Sequence, residues 1–137
     1  MNRKKILLVE DSPLPQRIAK SILEKLHCEV DIVDTGEDGV ALCLENHFDL
    51  VLMDIGLPGI DGIMAAQLIR EQESPGCHVP IVALTAHYDP DLKARALQAG
   101  MDDYRVKPLS SSMAQEILLK YSRKINSFVT HSKRKRG

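Results

Sequence analysis

The chain has 137 residues, 44% hydrophobic and 27% charged, with a formal net charge of −1, the size and balance of one globular domain. No apolar run approaches the roughly 18 residues of a membrane span, and the short apolar stretch after Asn2–Lys5 cannot serve as a secretory signal, so a cytoplasmic location is expected. Cys28, Cys43 and Cys77 are odd in number and lack metal-ligand spacing, which reads as reduced, packing thiols.

The near-neutral total hides an asymmetry. From Lys120 onward seven residues are basic and none acidic, whereas the preceding part carries 11 basic and 19 acidic residues, a net of −8. Such an acidic body is a poor holder of nucleic acid. The basic segment 123–137 has no periodicity and is expected to be a disordered tail.

In chain order, Lys5–Val9 reads as a strand buried on both faces and ends at the acidic pair Glu10-Asp11. Ser12, with Pro13 at the first helical position, caps a helix whose inward face is expected to hold Ile18, Ile22 and Leu26 beside Ala19 and Leu23. His27-Cys28 closes that unit, and Val30, Ile32 and Val33 mark a strand whose interleaved Asp31 points to a sheet edge. Thr35-Gly36 opens a second helix with Val40, Ala41 and Leu44 expected inward, and Gly39 costs it about 1 kcal/mol against alanine.

Leu50–Met53 is a third buried strand, stopped by Asp54 and by Gly56, Pro58, Gly59 and Gly62. Asp61 caps a helix through Ile63, Met64, Leu68 and Ile69 that ends at Ser74-Pro75-Gly76. Pro80–Leu84 is the fourth strand, followed by Thr85-Ala86. Asp89-Pro90 starts a fourth helix that stops at Gly100. Asp103–Val106 is the fifth strand, ended by Lys107-Pro108, and Met113, Ile117, Leu118 and Tyr121 belong to a last helix. Five apolar strands alternating with five helices predict a single α/β domain, a doubly wound parallel sheet covered on both faces.

In such a sheet the carboxyl ends of the strands open on one crevice. Here four of those ends carry Glu10 and Asp11, Asp54, Thr85 and Lys107. An aspartate alone after a strand usually just begins a turn; its company decides otherwise. Three carboxylates about 5 Å apart, at an effective dielectric of roughly 20, repel by on the order of 3 kcal/mol per pair. A hard divalent cation offsets that cost, and Mg²⁺ takes a few oxygen ligands while keeping waters. A plain salt-bridge cluster would account for Lys107 but gives no reason to collect the acids.

The pair Glu10-Asp11 and the segments LVLMDIGLPGIDG, IVALTA and GMDDYRVKPL together resemble the response-regulator receiver domain of two-component signalling, over about residues 4 to 122. Their wording is similar to receivers attached to hybrid sensor histidine kinases. The resemblance implies a flavodoxin-like (βα)5 fold with strand order 2-1-3-4-5. It also implies that Asp54 accepts a phosphoryl group from a phosphohistidine of a histidine kinase or histidine phosphotransfer domain. Mg²⁺ (or Mn²⁺) would be held by Asp11, Asp54 and the Gly56 carbonyl, with Glu10 acting through water. Thr85, Ala86 and Lys107 would meet the phosphoryl oxygens, and Thr85 and Tyr104 would form the switch pair. The Lys107–Pro108 bond would be cis, and Gly56 and His87 would tune dephosphorylation. Such a domain is its own substrate, not a conventional turnover enzyme, and is expected as a monomer or weak dimer. Arg105 departs from the pattern, standing where the family usually has an aliphatic residue.

Three other readings fit less well. A haloacid-dehalogenase-like phosphatase needs a second aspartate two positions after the nucleophile, where this chain has Gly56. A flavin-binding flavodoxin needs a hydroxyl- and Gly-rich loop after the first strand, where this chain has Glu10-Asp11-Ser12-Pro13. A DNA-binding regulator needs a helix-turn-helix, and only one helix and the tail follow Leu109. His131 in that tail is read as a plain polar residue.

Overall fold

A computed structural model describes residues 3–121 of the chain. Five strands alternate with helices: β1 Lys4–Val9, α1 Pro13–Lys25, β2 Cys28–Val33, α2 Gly36–Glu45, β3 Leu50–Asp54, α3 Gly62–Gln72, β4 Ile81–Thr85, α4 Pro90–Gln98 and β5 Asp103–Val106. A fifth helix, α5, occupies 111–121. All pairings are parallel and the order is β2-β1-β3-β4-β5. The segment 123–137, including His131, lies outside the described residues.

The central strands are apolar except at their ends because their side chains alternate between two cores. Leu7, Val9, Val51, Met53, Ile81 and Ala83 face α2, α3 and α4, meeting Val40, Ile63, Ala65, Ala66, Ile69 and Ala96. Ile6, Leu8, Leu50, Leu52, Val82 and Leu84 face α1 and α5, meeting Ala19, Leu23, Ala114, Ile117 and Tyr121. β2 is an edge, and Val30, Asp31, Ile32 and Val33 are only half-buried there.

The helices bury narrower stripes than their apolar residues suggest. In α1 the inward residues are Ala19 and Leu23, with Ile22 and Leu26 flanking, while Ile18 is 46% exposed. In α2 the inward stripe is Gly36, Gly39 and Val40; Ala41 is exposed and Leu44 points to solvent. A β-carbon on Gly39 would stand 3.0 Å from Val9 Cγ2, so α2 rides close to the sheet on a glycine that periodicity does not count. Met64 of α3 is likewise exposed, displaced outward by Ala65 and Ala66, which are fully buried.

The helix starts follow their capping residues. Asp61 accepts from Met64 N–H at 2.8 Å, Thr35 from Asp38 N–H at 3.1 Å, and Asp89 from Asp91 and Leu92 N–H. Ser12 is the N-cap of α1 by position, yet its side chain makes no cap bond; its N–H donates to Glu10 Oε2 instead. Cys28 opens β2, where it is buried, and His27 before it adopts φ 65° to turn the chain.

Candidate phosphoacceptor and metal site

Strand register brings the expected residues to one rim. Val9 pairs with Met53, which puts Glu10 level with Asp54 at the ends of β1 and β3. Asp54 pairs with Leu84 and Thr85 with Val106, so Thr85 and then Lys107 follow along the same edge. Lys107 and Asp54 stand on strands two places apart, roughly 10 Å of sheet that only a long side chain spans. Its Nζ lies 2.8 Å from Glu10 Oε1 and 3.1 Å from Asp54 Oδ2. The Lys107–Pro108 peptide bond is cis.

Glu10, Asp54 and Thr85 are the polar residues buried among the described ones, at 2%, 6% and 7% exposure. Burial holds the Glu10 carboxyl above its usual range; Lys107 lowers it and Asp54 raises it again. Burial also pulls the Lys107 ammonium down, but its bonds to Glu10 and Asp54 outweigh that and leave it above the ordinary lysine value.

Glu10, Asp11 and Asp54 each offer an oxygen, and these lie within 4.8 Å of one another. Two oxygens bound directly to one Mg²⁺ are at most about 4.2 Å apart. A spread of up to 4.8 Å therefore suits direct carboxylate ligands with another acting through water, and the donor set is all hard oxygen. The residues fit such a cation. Asp54 Oδ1 also accepts from Gly56 N–H at 3.1 Å, which ties the acceptor to the loop that follows it.

That loop folds back on its own backbone. The Ile55 carbonyl accepts from both Leu57 and Gly62 N–H, each at 3.0 Å, and Ile55 N–H donates to Leu84. A β-carbon on Gly62 would collide with the Asp54 carbonyl oxygen, so only glycine lets α3 start this close to the acceptor. The sequence marks Gly62 as a strand breaker; its contact with Asp54 appears only in three dimensions. Gln16 is also unmarked by spacing, and its amide donates to the Glu10 carbonyl from the first turns of α1.

The residues beyond β4 are placed differently from the acid cluster. Ala86 and His87 are exposed. The Thr85 hydroxyl donates to the His87 carbonyl at 3.2 Å. Tyr104 is 6% exposed, and its hydroxyl donates to that same carbonyl at 3.3 Å while accepting from Asp89 N–H. Arg105 is held by Asp103 at 3.2 Å and Glu116 at 3.0 Å, linking β5 to α5 where an aliphatic residue was expected.

A doubly wound sheet with this rim defines a class, and the comparisons agree with it. The sequence profile of the response regulator receiver domain matches residues 6–119, so the chain belongs to that family. It is 40% identical over 120 residues to the sensor protein GacS of Pseudomonas syringae pv. syringae, covering 86% of this chain but 13% of that protein. Among solved structures, it is similar to the receiver domain of a Pseudomonas aeruginosa PAO1 sensor histidine kinase with a magnesium ion coordinated in its active-site cleft. There the TM-score is 0.80 and the identity 39%, covering 88% of this chain and 98% of the other. It also resembles the receiver of a Saccharomyces cerevisiae response regulator co-crystallised with a histidine phosphotransfer protein, at TM-score 0.79 and 30% identity, covering 87% and 88% of the two chains. No helix among the described residues is long and apolar enough to cross a membrane.

Proposed function

We propose that Asp54 accepts a phosphoryl group from a phosphohistidine on a partner kinase or histidine phosphotransfer domain. The observation that carries this is one carboxylate, 6% exposed at the sheet rim, set between the Lys107 ammonium and an acidic pair shaped for a divalent cation. A carboxylate oxygen of Asp54 attacks phosphorus, an O–P bond forms, the P–N bond breaks, and the imidazole leaves with the electron pair. Phosphoryl transfer of this kind depends mostly on positioning and charge neutralisation. Asp11, Asp54 and the Gly56 carbonyl, with Glu10 through water, would hold Mg²⁺ or Mn²⁺, which would supply neutralisation of the phosphoryl oxygens. Lys107 releases part of its hold on Glu10 to meet one of those oxygens, and Thr85 turns its hydroxyl from the His87 carbonyl to another, beside the Ala86 backbone. The domain thus promotes phosphorylation of its own residue and is its own substrate. The pairing of a similar receiver with a histidine phosphotransfer protein supports the choice of partner.

The test uses acetyl phosphate and Mg²⁺. The mass of the intact chain should rise by one phosphoryl group, on Asp54, and chelation of the metal should abolish labelling. Equal uptake by Asp54→Ala would overturn the assignment. The reading also places the domain within 4–122, so deletion of Ser127–Gly137 should leave both stability and labelling intact. Gly56 has no side chain to orient or exclude the hydrolytic water, and His87, exposed two residues after Thr85, is the side chain read as tuning its approach. Slow to moderate loss of phosphate follows, suited to a relay. Decay faster in the wild type than in both Gly56→Asn and His87→Glu would refute that.

A further inference from the structure

We infer that Tyr88 is a positioning residue for Tyr104 and thereby raises the affinity of Asp54 for a phosphoryl group; the inference rests on the phosphoacceptor reading above. Tyr88 lies in the loop between β4 and α4 and is 60% exposed. Its ring stands edge-on to that of Tyr104, with centroids 6.1 Å apart and planes at 79°. This is the geometry in which a ring's positive edge meets a negative face. The Lys93 ammonium, near the start of α4, lies 5.9 Å from the Tyr88 ring centre, within range of a cation–π attraction. A ring left mostly in water gains little by burial. What fixes it is directional contact, on one side with the buried tyrosine and on the other with the helix.

The link to the site runs through one oxygen. The His87 carbonyl accepts from both the Thr85 hydroxyl and the Tyr104 hydroxyl. Thr85 must give up that bond before its hydroxyl can serve a phosphoryl oxygen. While Tyr104 stays buried, the carbonyl keeps a donor and the Asp89 N–H keeps its acceptor. With the ring swung outward, both would be lost as Thr85 departs. Burial of Tyr104 therefore lowers the cost of releasing Thr85. By thermodynamic linkage, a contact that favours the buried ring favours phosphoryl binding, by at most the factor by which it shifts the ring's own equilibrium. A T-shaped aromatic pair shifts such an equilibrium by roughly 2- to 10-fold.

The experiment titrates the full chain, saturated with Mg²⁺, with beryllofluoride as a stable mimic of the aspartyl phosphoryl group. Amide shifts around Asp54 report affinity, and fluorine signals from 3-fluorotyrosine report the burial of Tyr104, assigned through Tyr→Phe variants. Tyr88→Ala should weaken beryllofluoride about 2- to 10-fold, with the buried Tyr104 population falling in parallel and Mg²⁺ affinity unchanged. Tyr88→Phe keeps the ring and should match the wild type, and Lys93→Met should lose part of the effect. Unchanged affinity in Tyr88→Ala would overturn the inference, as would weaker binding with Tyr104 still buried. If the wild type itself binds no beryllofluoride at Asp54, the phosphoacceptor reading falls and this inference with it.

Discussion

The two ends of the sheet each gather charged side chains, and they are built to opposite effect. At the amino-terminal end, Asp102 accepts from Arg70 Nη2 at 2.9 Å, from Ile81 N–H at 2.8 Å, and stands 2.9 Å from His78 Nε2. Glu73 accepts from Arg70 Nη1 and from Val79 N–H, and Arg70 Nε donates to the Gly100 carbonyl at 2.8 Å. Each carboxylate there is matched by a guanidinium arm and a backbone amide. At the carboxyl-terminal end, Glu10 and Asp54 share the ammonium of Lys107 and Asp11 lies beside them, an excess of two negative charges against one where Asp102 and Glu73 share Arg70. The first arrangement closes a structure; the second leaves a charge that a ligand can neutralise. Carboxylate count does not separate a structural cluster from a functional one. The donors each carboxylate already holds, and the charge left over, do.

The comparison breaks most visibly at Lys107. Lys107→Ala should slow labelling by acetyl phosphate on the order of 100-fold, about 3 kcal/mol of lost charge stabilisation. Stability should fall too, because Glu10, 2% exposed, and Asp54 lose the cation they share. Labelling rates by mass spectrometry, set against urea midpoints, check both halves. A protein that unfolds early yet labels normally would reverse the assignment of the two ends.

Asp102→Ala tests the closed end. It takes the acceptor from one arm of Arg70, 15% exposed, and from Ile81 N–H and His78, so a loss of roughly 2–3 kcal/mol is expected in denaturant unfolding. The labelling rate of Asp54 should stay within twofold of the wild type, about the scatter between distant sites. A smaller effect of opposite sign is expected from Asp11→Asn. Removing one of three mutually repelling acids should raise the metal-free stability by about 0.5 kcal/mol, since Asp11 is exposed. The same variant should lose most of the stabilisation that saturating Mg²⁺ gives the wild type. Melting curves with and without Mg²⁺ decide it.

The mildest probe uses the thiols. Burial pushes the Cys43 thiol up to about 12, with Glu73 raising it further and Arg70 opposing. A raised value defers the thiolate to higher pH, so at pH 9 roughly one Cys43 in a thousand is ionised. Exposed Cys77 should react first with a disulfide reagent, and Cys43 only after opening of the closed end. Asp102→Ala should therefore speed Cys43 labelling, and Asp11→Asn should not. Equal rates for Cys43 in the two variants would show that the Arg70 cluster does not guard this part of the core.

The site was legible from the chain because its parts sit where strands end. Strands β1, β3 and β4, apolar but for their ends, read as central parallel strands, and an acid, a hydroxyl or an ammonium at the end of such strands has one crevice to face. Arg70, Glu73, Asp102 and His78 gave no comparable signal. They end helices or precede strands at unrelated spacings, and a charged residue there ordinarily meets water. The inward faces of the helices were read less well for a similar reason. Ile18, Ala41, Leu44 and Met64 are exposed, while Gly39, Ala65 and Ala66 hold the close contacts. Periodicity counts large apolar residues, whereas a helix laid on a sheet selects small ones where backbones approach.

The sequence by itself determined the alternation of strand and helix, the order of the strands through the family resemblance, and the gathering of Glu10, Asp11, Asp54, Thr85 and Lys107 at one rim. These depend on local pattern and on a topology with few alternatives. The tertiary structure alone decided that Lys107 bridges Glu10 and Asp54, that Gly62 presses against the acceptor's carbonyl, and that Tyr104 is buried beside Tyr88 with Thr85 bound to the same His87 oxygen. Most of those contacts join residues from different elements at separations of a few ångströms. Such distances follow from how closely helices seat on the sheet, and side-chain volume sets that only once the whole core is packed.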